Sequence, residues 1–468
     1  MAFIGRTNEL EFLESSYAQS NAQLVVLYGR RRVGKTEILS HFAQGKDHVF
    51  FAAPQANKDE QLAAFSRQMF EAGAPASRYL RQYPDWETAL QDIANLPASA
   101  DGNKRLVILD EFPYLVRSDK SLPSIIQNLW DHTLRHNNIT LVLCSSSMSF
   151  IEKEILSEKS PLYGRATGIL RVDPMPYWDA AKFFPHYTPA NNALAFAVLG
   201  GMPHYLAQFD PDEDVATNIR QRILRRGAAL YSEAEFLMHQ EFREPATYNT
   251  ILQAVALGAT QLNDIAQRTA MPAAAVSSYL KNLIEVNIVE REFPADAKPV
   301  EESKVMRGLY RLSDNFFRFW YAFVAPNRSD LEIGDIDGVW RHGVEPLLHD
   351  FAGTPFERIC AQWLRRENMR GQLPFRASHI GRWWDARTEI DVVATDKSAT
   401  HLIAGECKFR NRPMDIPMLR GLQEKALRLK GAERSAMLFS LGGFSPELTK
   451  LAHKDESIRL IGVDDLYA

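Results

Sequence analysis

Residues 23–42 read QLVVLYGRRRVGKTEILSHF. The opening run, Gln23–Tyr28, is almost continuously apolar, as expected of a short strand buried on both faces of a parallel sheet. Gly29–Thr36 matches G-x-x-x-x-G-K-[ST] in full. Thr36–Phe42 then reads as a helix. A strand feeding a glycine-bounded loop and a helix N-terminus makes a phosphate cradle, because successive backbone N–H groups and the helix dipole face one point. Gly29 and Gly34 permit backbone geometry and close approach that a Cβ would block. Arg30, Arg31, Arg32 and Val33 complete the loop. Lys35 places a cation on the β- and γ-phosphates of ATP, and the Thr36 hydroxyl is a ligand type for Mg²⁺.

Three more apolar runs share the character of the first: Val49–Ala52, Arg105–Leu109 and Thr140–Cys144. The segments between them are long enough for crossover helices, so residues 1–210 are expected to form an α/β P-loop NTPase domain on a parallel sheet. Asp110 and Glu111 end the run at Arg105–Leu109. That position suits Asp110 to the metal and Glu111 to the attacking water. Ser145, Ser146 and Ser147 end the next run and either sense the γ-phosphate or cap a helix.

Beyond residue 210 the pattern changes. Residues 211–245 are helical and highly charged. Tyr248–Ala256, Leu262–Ala270 and Ala273–Ile284 read as short helices, and Glu285–Phe293 and Gly308–Leu312 as strands around a polar loop, Pro294–Arg307. Three helices and a hairpin make a winged helix, which places a helical and winged-helix domain at 211–330. In a helix-turn-helix the second helix would enter the major groove. Here that helix, Ala273–Ile284, carries only Lys281 and Asn282, so packing rather than base reading is expected of it. The aromatic stretch Asn315–Val324 is expected to be a packing seam.

Residues 331–468 form a second α/β pattern. Phe356–Arg366 reads as a helix opened by Glu357. Glu389–Ala394, His401–Lys408 and Ser435–Phe439 read as strands, with a helix at Met418–Leu429. Alternate strand residues share a face, so Glu406 and Lys408 point the same way, and Asp391 on the neighbouring strand is able to face them. Glu357, Asp391 and Glu406 are then candidate ligands for Mg²⁺ or Mn²⁺, with Lys408 orienting the attacking water. Gln423 is placed to face the same point. Eight Lys and Arg between Ile403 and Ser435, and six Arg with Trp383 and Trp384 between Leu364 and Arg387, suggest a cationic surface for a nucleic-acid backbone.

Composition bounds these readings. The chain has 468 residues and a formal net charge of −4, so nucleic-acid contact must come from local patches, not from an overall polycation. Cys144, Cys360 and Cys407 are odd in number and far apart, which argues against a disulfide framework or a zinc knuckle and for a reducing cytoplasm. The N-terminus lacks the apolar core of a signal peptide, and no run approaches the length of a membrane span.

The segments FIGRTNEL (3–10), GRRRVGKT (29–36), LDEFPYL (109–115), CSSSMSF (144–150), SPLYGRAT (160–167) and GGMPHYL (200–206) occur in the order that resembles the archaeal-type ATPases, a branch of the AAA+/STAND P-loop ATPases. The resemblance covers about residues 2–330. It implies that Phe3, Ile4, Gly5 and Arg6 lie beside the adenine and that Gly201, Met202 and Pro203 pack near the base. It also implies that Arg165 answers the γ-phosphate from its own or a neighbouring subunit, which would make a homo-oligomer. The Asp391, Glu406 and Lys408 spacing resembles the PD-(D/E)xK restriction-endonuclease-like superfamily and the DUF234-type domain that often follows such ATPases, although Ile390 stands where that motif has proline. Together the resemblances imply an ATPase whose nucleotide state controls a metal-dependent nuclease acting on nucleic acid, DNA before RNA. The alternatives are a signalling ATPase, or a DNA-binding ATPase whose C-terminal domain grips without cutting.

Overall fold

Five strands form the first sheet: β1 (Gln23–Tyr28), β2 (His48–Ala52), β3 (Arg105–Asp110), β4 (Ile139–Ser145) and β5 (Gly168–Arg171). They run parallel in the order β2-β3-β4-β1-β5. In this computed structural model, which describes residues 3–97, 104–297 and 308–468, the three central strands are almost wholly buried. The two edge strands are only partly covered, and no residue of β5 is fully buried. That contrast explains why β5 is missing from the sequence reading: GILR shows no apolar run, because only one of its faces is covered. The chain divides into two compact units, Met1–Pro174 and Met175–Ala468, and this sheet belongs to the first. Both β1 and β3 deliver their C-terminal ends to the same edge of the sheet, with β4 between them. In open parallel sheets ligands bind at that edge.

The second unit begins with helices. Pro245–Ala256, Leu262–Thr269 and Ala273–Glu285 precede an antiparallel pair, β6 (Val289–Glu292) and β7 (Leu309–Leu312). The first of these strands starts later than Glu285 because the preceding helix runs on and Asn287 turns the chain with φ 55°. Most of the expected loop Pro294–Arg307 lies outside the described residues. Asn282 donates to the Tyr248 hydroxyl across 2.8 Å, so this side chain is spent on packing between helices. The aromatic stretch is buried through Phe316, Phe317, Phe319, Trp320, Phe323 and Val324.

The C-terminal sheet follows the long helix Leu348–Met369. Its strands are β8 (His379–Trp384), β9 (Glu389–Thr395), β10 (His401–Lys408), β11 (Glu433–Ser440) and β12 (Ile458–Gly462), in the order β12-β11-β10-β9-β8. The first three pair antiparallel and the last three parallel, with the helix Ile416–Ala426 crossing between β10 and β11. The helix before the sheet does not open at Glu357. It begins two turns earlier and runs through Pro355. A proline inside a helix orphans the carbonyl four residues back. Here that carbonyl, of Phe351, accepts from Arg318 Nη1 at 2.9 Å, and the guanidinium lies over the Phe351 ring. Among the described residues no helix is long and apolar enough to cross a membrane.

Candidate functional site

The loop between β1 and its helix is built by backbone constraint. Arg32 and Gly34 both adopt positive φ, 71° and 91°. Alternation of this kind turns neighbouring N–H groups toward one point. A Cβ at Gly29 would stand 2.4 Å from the Val172 carbonyl oxygen, so the glycine answers to the chain after β5 rather than to a ligand. Lys35 curls back over the loop, donating to the carbonyls of Gly29 at 2.9 Å and Arg30 at 3.1 Å. Burial pushes its ammonium below the ordinary lysine range, against the raising effect of Cys144, Glu111 and Asp110. Arg31 donates to the Tyr114 hydroxyl at 3.1 Å. Arg30 is buried and Val33 fully so.

Two acids meet this loop from β3. Thr36 Oγ1 donates to Asp110 Oδ2 at 2.6 Å, and the Glu111 N–H donates to Asp110 Oδ1 at 2.9 Å. Glu111 itself sits in the left-handed region, φ 53°, at the N-cap of the helix Phe112–Ser118. Its carboxylate accepts from Ser146 Oγ at 2.8 Å. The serines divide their tasks: Ser147 caps the next helix through Phe150 N–H, Ser145 bonds Ser147, and Ser146 holds Glu111. A hydroxyl beside a carboxylate is an oxygen donor set of the kind Mg²⁺ accepts.

The flanking residues separate. Phe3 stacks on His41 of the loop helix, ring centroids 4.1 Å apart and planes nearly parallel. Ile4 and Gly5 lead into Arg6, which is buried and donates to Val33 O and Asp173 O, each at 2.7 Å, while pairing with Glu9. Arg6 thus ties the phosphate loop to the chain after β5. Arg165 grips Asp131 through Nε and Nη2, with its shortest contact 2.7 Å, and bonds the Pro161 carbonyl. Pro203 opens a short helix in the second unit. The glycine before it is explained by packing, since a Cβ on Gly201 would lie 1.8 Å from Met175 O.

In the C-terminal domain, β9 and β10 pair with Gly405 opposite Val392, which sets Asp391 beside Glu406. Asp391 Oδ2 accepts the Cys407 N–H at 2.8 Å. Lys408 Nζ lies 2.6 Å from Glu406 Oε1 and 3.7 Å from Asp391 Oδ2, so both carboxylates and the ammonium share one face. Burial, then the charge of Glu406, raises the Asp391 carboxyl. Burial also acts to raise Glu406, but the ammoniums of Lys408 and Lys425 overcome it and hold this carboxyl below its usual range. Lys408 is raised because its two acids outweigh its burial.

Glu357 does not open its helix. It lies in mid-helix with Arg382 Nε at 4.0 Å, and burial, reinforced by the charges of Asp391, Glu389 and Glu292, pushes its carboxyl up to about 9. The charge of Asp391 bears on Glu357 and that of Lys408 acts against it, so Glu357 stands within electrostatic reach of the pair. Among the described residues no three His, Cys, Asp or Glu side chains are grouped to hold a metal ion. Asp391 and Glu406 remain as a two-carboxylate pair, which is a number that suffices for Mg²⁺ when water and phosphate complete its shell.

Lys425 takes the place expected for Gln423. Its Nζ donates to Glu406 Oε2 at 3.1 Å, whereas Gln423 is exposed. The helix buries Leu419, Leu422 and Ala426, and at 100° per residue Gln423 and Lys425 fall on opposite flanks of that stripe. The buried positions of this helix carried the signal, and the sequence reading chose the wrong flank. The expected cationic surface is also thinner. Trp383 and Trp384 are buried, and Arg382 and Arg428 are paired with Glu389 and Asp385.

Two family models match the chain. Residues 3–209 match the family described as an ATPase domain predominantly from Archaea. Residues 320–426 match the family DUF234, described as archaeal and bacterial proteins of unknown function. The uncharacterized protein MJECL04 of Methanocaldococcus jannaschii is 30% identical over 413 residues, covering 87% of this chain and 88% of its own. Two solved structures are similar at lower identity. The Walker-type ATPase PABY2304 of Pyrococcus abyssi is 20% identical, with a TM-score of 0.49, over 68% of this chain and 96% of that one. The Aeropyrum pernix ORC2 protein is 15% identical, with a TM-score of 0.41, over 72% and 94%. By its near full-length relative and its two domain matches, the chain belongs to the family of archaeal-type ATPases that carry an N-terminal ATPase domain and a C-terminal DUF234 domain.

Proposed function

We propose that this protein binds and hydrolyses ATP at the loop Gly29–Thr36 and that its nucleotide state controls a C-terminal domain acting on a nucleic-acid backbone. In this reading Lys35 swings from its own loop carbonyls onto the β- and γ-phosphates. Glu111 orients the attacking water. Thr36 and Asp110 would hold Mg²⁺, which supplies positive charge to the phosphates when bound. The domains follow the limits 1–210, 211–330 and 331–468, with a winged helix as the relay. Phe3–Arg6 border the base, and Arg165 belongs to a contact between copies, where it would have to exchange Asp131 for phosphate.

The single observation that carries the C-terminal reading is the convergence of Asp391, Glu406 and Lys408 at the end of β10. Asp391 and Glu406 would hold Mg²⁺ or Mn²⁺, which stabilises charge at a phosphodiester, and Lys408 orients water toward the phosphorus. DNA is the expected substrate. Incubating plasmid with the full chain and either metal, with and without ATP, tests this: metal-dependent nicking that changes with ATP is expected. A second reading, in which the domain grips nucleic acid without cutting, is favoured by the two ammoniums of Lys408 and Lys425 resting on the one carboxylate of Glu406. Binding without nicking under every metal would select it.

A further inference from the structure

The charges at the end of β10 are layered. Glu406 gives one carboxylate oxygen to each of two lysines, Oε1 to Lys408 at 2.6 Å and Oε2 to Lys425 at 3.1 Å. The acids lie behind: the side chains of Asp391 and Glu406 are 9% and 12% exposed. The ammoniums lie in front, with side chains 30% and 33% exposed. Solvent at this point therefore meets positive charge first. Neighbouring cations are occupied elsewhere, Arg428 by Asp385 and Arg382 by Glu389.

From this layering we propose that Lys425, with Lys408, forms a two-ammonium clamp for a phosphate group, mounted on Glu406 and able to work without a metal ion. The proposal rests on the reading that this domain acts on nucleic acid, and it names a phosphate-binding residue for that reading. An ammonium carries three protons, so one bond to Glu406 leaves donors for a ligand. Lysine side chains lose much rotamer freedom when they are ordered around an anion. The shared carboxylate orders both in advance and lowers that cost. Lys425 is also fixed in rotation, because Leu419, Leu422 and Ala426 bury the face next to it and Asp415 caps the helix through Met418 N–H. The phosphate belongs to a nucleic-acid backbone in this proposal; a free phosphate ester presents the same chemistry.

Fluorescence anisotropy with labelled single- and double-stranded oligonucleotides tests the clamp, using the full chain in EDTA over a series of salt concentrations, with pyrophosphate as competitor. Lys425→Ala should weaken oligonucleotide binding several-fold, on the order of 5–10, and lower the log–log salt slope by about one. Lys425→Arg should keep most of the affinity. Lys450→Ala, an exposed lysine on the helix Pro446–Ala452, should leave the slope unchanged. Retained ATP hydrolysis and thermal melting show that each variant is folded. Pyrophosphate binding that is measured in the Lys35→Ala background and lost on adding Lys425→Ala, with no oligonucleotide binding by the parent, keeps the clamp and assigns it to free phosphates. The clamp is overturned if Lys425→Ala matches the parent in affinity and slope, or if the parent binds neither probe. Cutting is scored separately with Mg²⁺, so a working clamp without cutting removes only the nuclease reading.

Discussion

Thr36, in the first turn of the helix after the phosphate loop, and Asp110, at the end of β3, meet across 2.6 Å, hydroxyl to carboxylate. The contact closes the phosphate loop against β3 before any ligand arrives. Asp110 also accepts from the Glu111 N–H, so one buried carboxylate sets the geometry of both the loop and the next acid. Asp110→Asn should keep the fold and weaken MgATP far more than metal-free ATP. Titration of a fluorescent ATP analogue with and without Mg²⁺ measures the difference. Equal affinity losses in the two conditions would argue that Asp110 serves the loop alone.

Lys35 lends itself to a sharper test. Its ammonium is buried and bonded only to carbonyls of its own loop among the contacts described here. Lys35→Ala should abolish ATP hydrolysis and weaken ATP binding with little change in melting temperature. A variant that hydrolyses ATP at the parent rate would show that the nucleotide site is elsewhere.

Glu111 separates binding from turnover. Its carboxylate accepts from Ser146 and lies off the Thr36–Asp110 contact. Glu111→Gln preserves size and hydrogen bonding while removing the charge that orients water. Binding of MgATP should survive, and hydrolysis should slow by roughly 10²–10⁴-fold. If both properties fall together, the two acids do not have separate tasks.

The first unit was legible in the sequence because its signals are local. A buried parallel strand is an apolar run, and the phosphate loop is a string of eight residues with fixed spacing. The half-covered strand β5 escaped because alternating burial over four residues leaves too few letters to read. The C-terminal site was legible in part. Strand alternation placed Glu406 and Lys408 on one face, and the pairing of β9 with β10 brought Asp391 to them. The place of Glu357 was not legible. Pro355 reads locally as a helix boundary, and only the distant Arg318, satisfying the Phe351 carbonyl, lets the helix continue. Lys425 was hidden for a related reason: helix rotation depends on which residues the sheet buries.

Glu357 has a stability consequence whose sign follows from its environment. Its carboxyl is pushed up to about 9 in the folded chain, above the ordinary glutamate value of 4.5. Below pH 4.5 both folded and unfolded chains carry the proton, and the group makes no difference. Between 4.5 and 9 the unfolded chain ionises first, so this residue costs stability as pH rises, by at most about 1.4 kcal/mol per unit. Glu357→Gln removes that loss. Its melting temperature should fall less steeply than that of the parent between pH 5 and pH 9 in metal-free buffer. Parallel curves for the two proteins would place Glu357 in a more solvated setting than the structure gives it.

Asp391 and Lys408 make the last and riskiest test, because they touch the same point with opposite charge. Lys408 is the counter-ion that lets two buried carboxylates stand side by side. Removing Asp391 deletes an oxygen donor, so Asp391→Ala should lose both Mn²⁺ binding and any cutting of DNA. Removing Lys408 leaves Asp391 and Glu406 facing each other, with only Lys425 to neutralise them. A divalent cation would relieve that repulsion, so Lys408→Ala should bind Mn²⁺ at least as tightly as the parent while failing to cut. Titration calorimetry with Mn²⁺ and a plasmid nicking assay measure the two properties on the same samples. ATP hydrolysis should remain at the parent rate in both variants, since neither residue belongs to the ATPase domain. Loss of Mn²⁺ binding in Lys408→Ala would mean that the acids do not form a cation site, and the domain would then be a gripping surface built on its ammoniums.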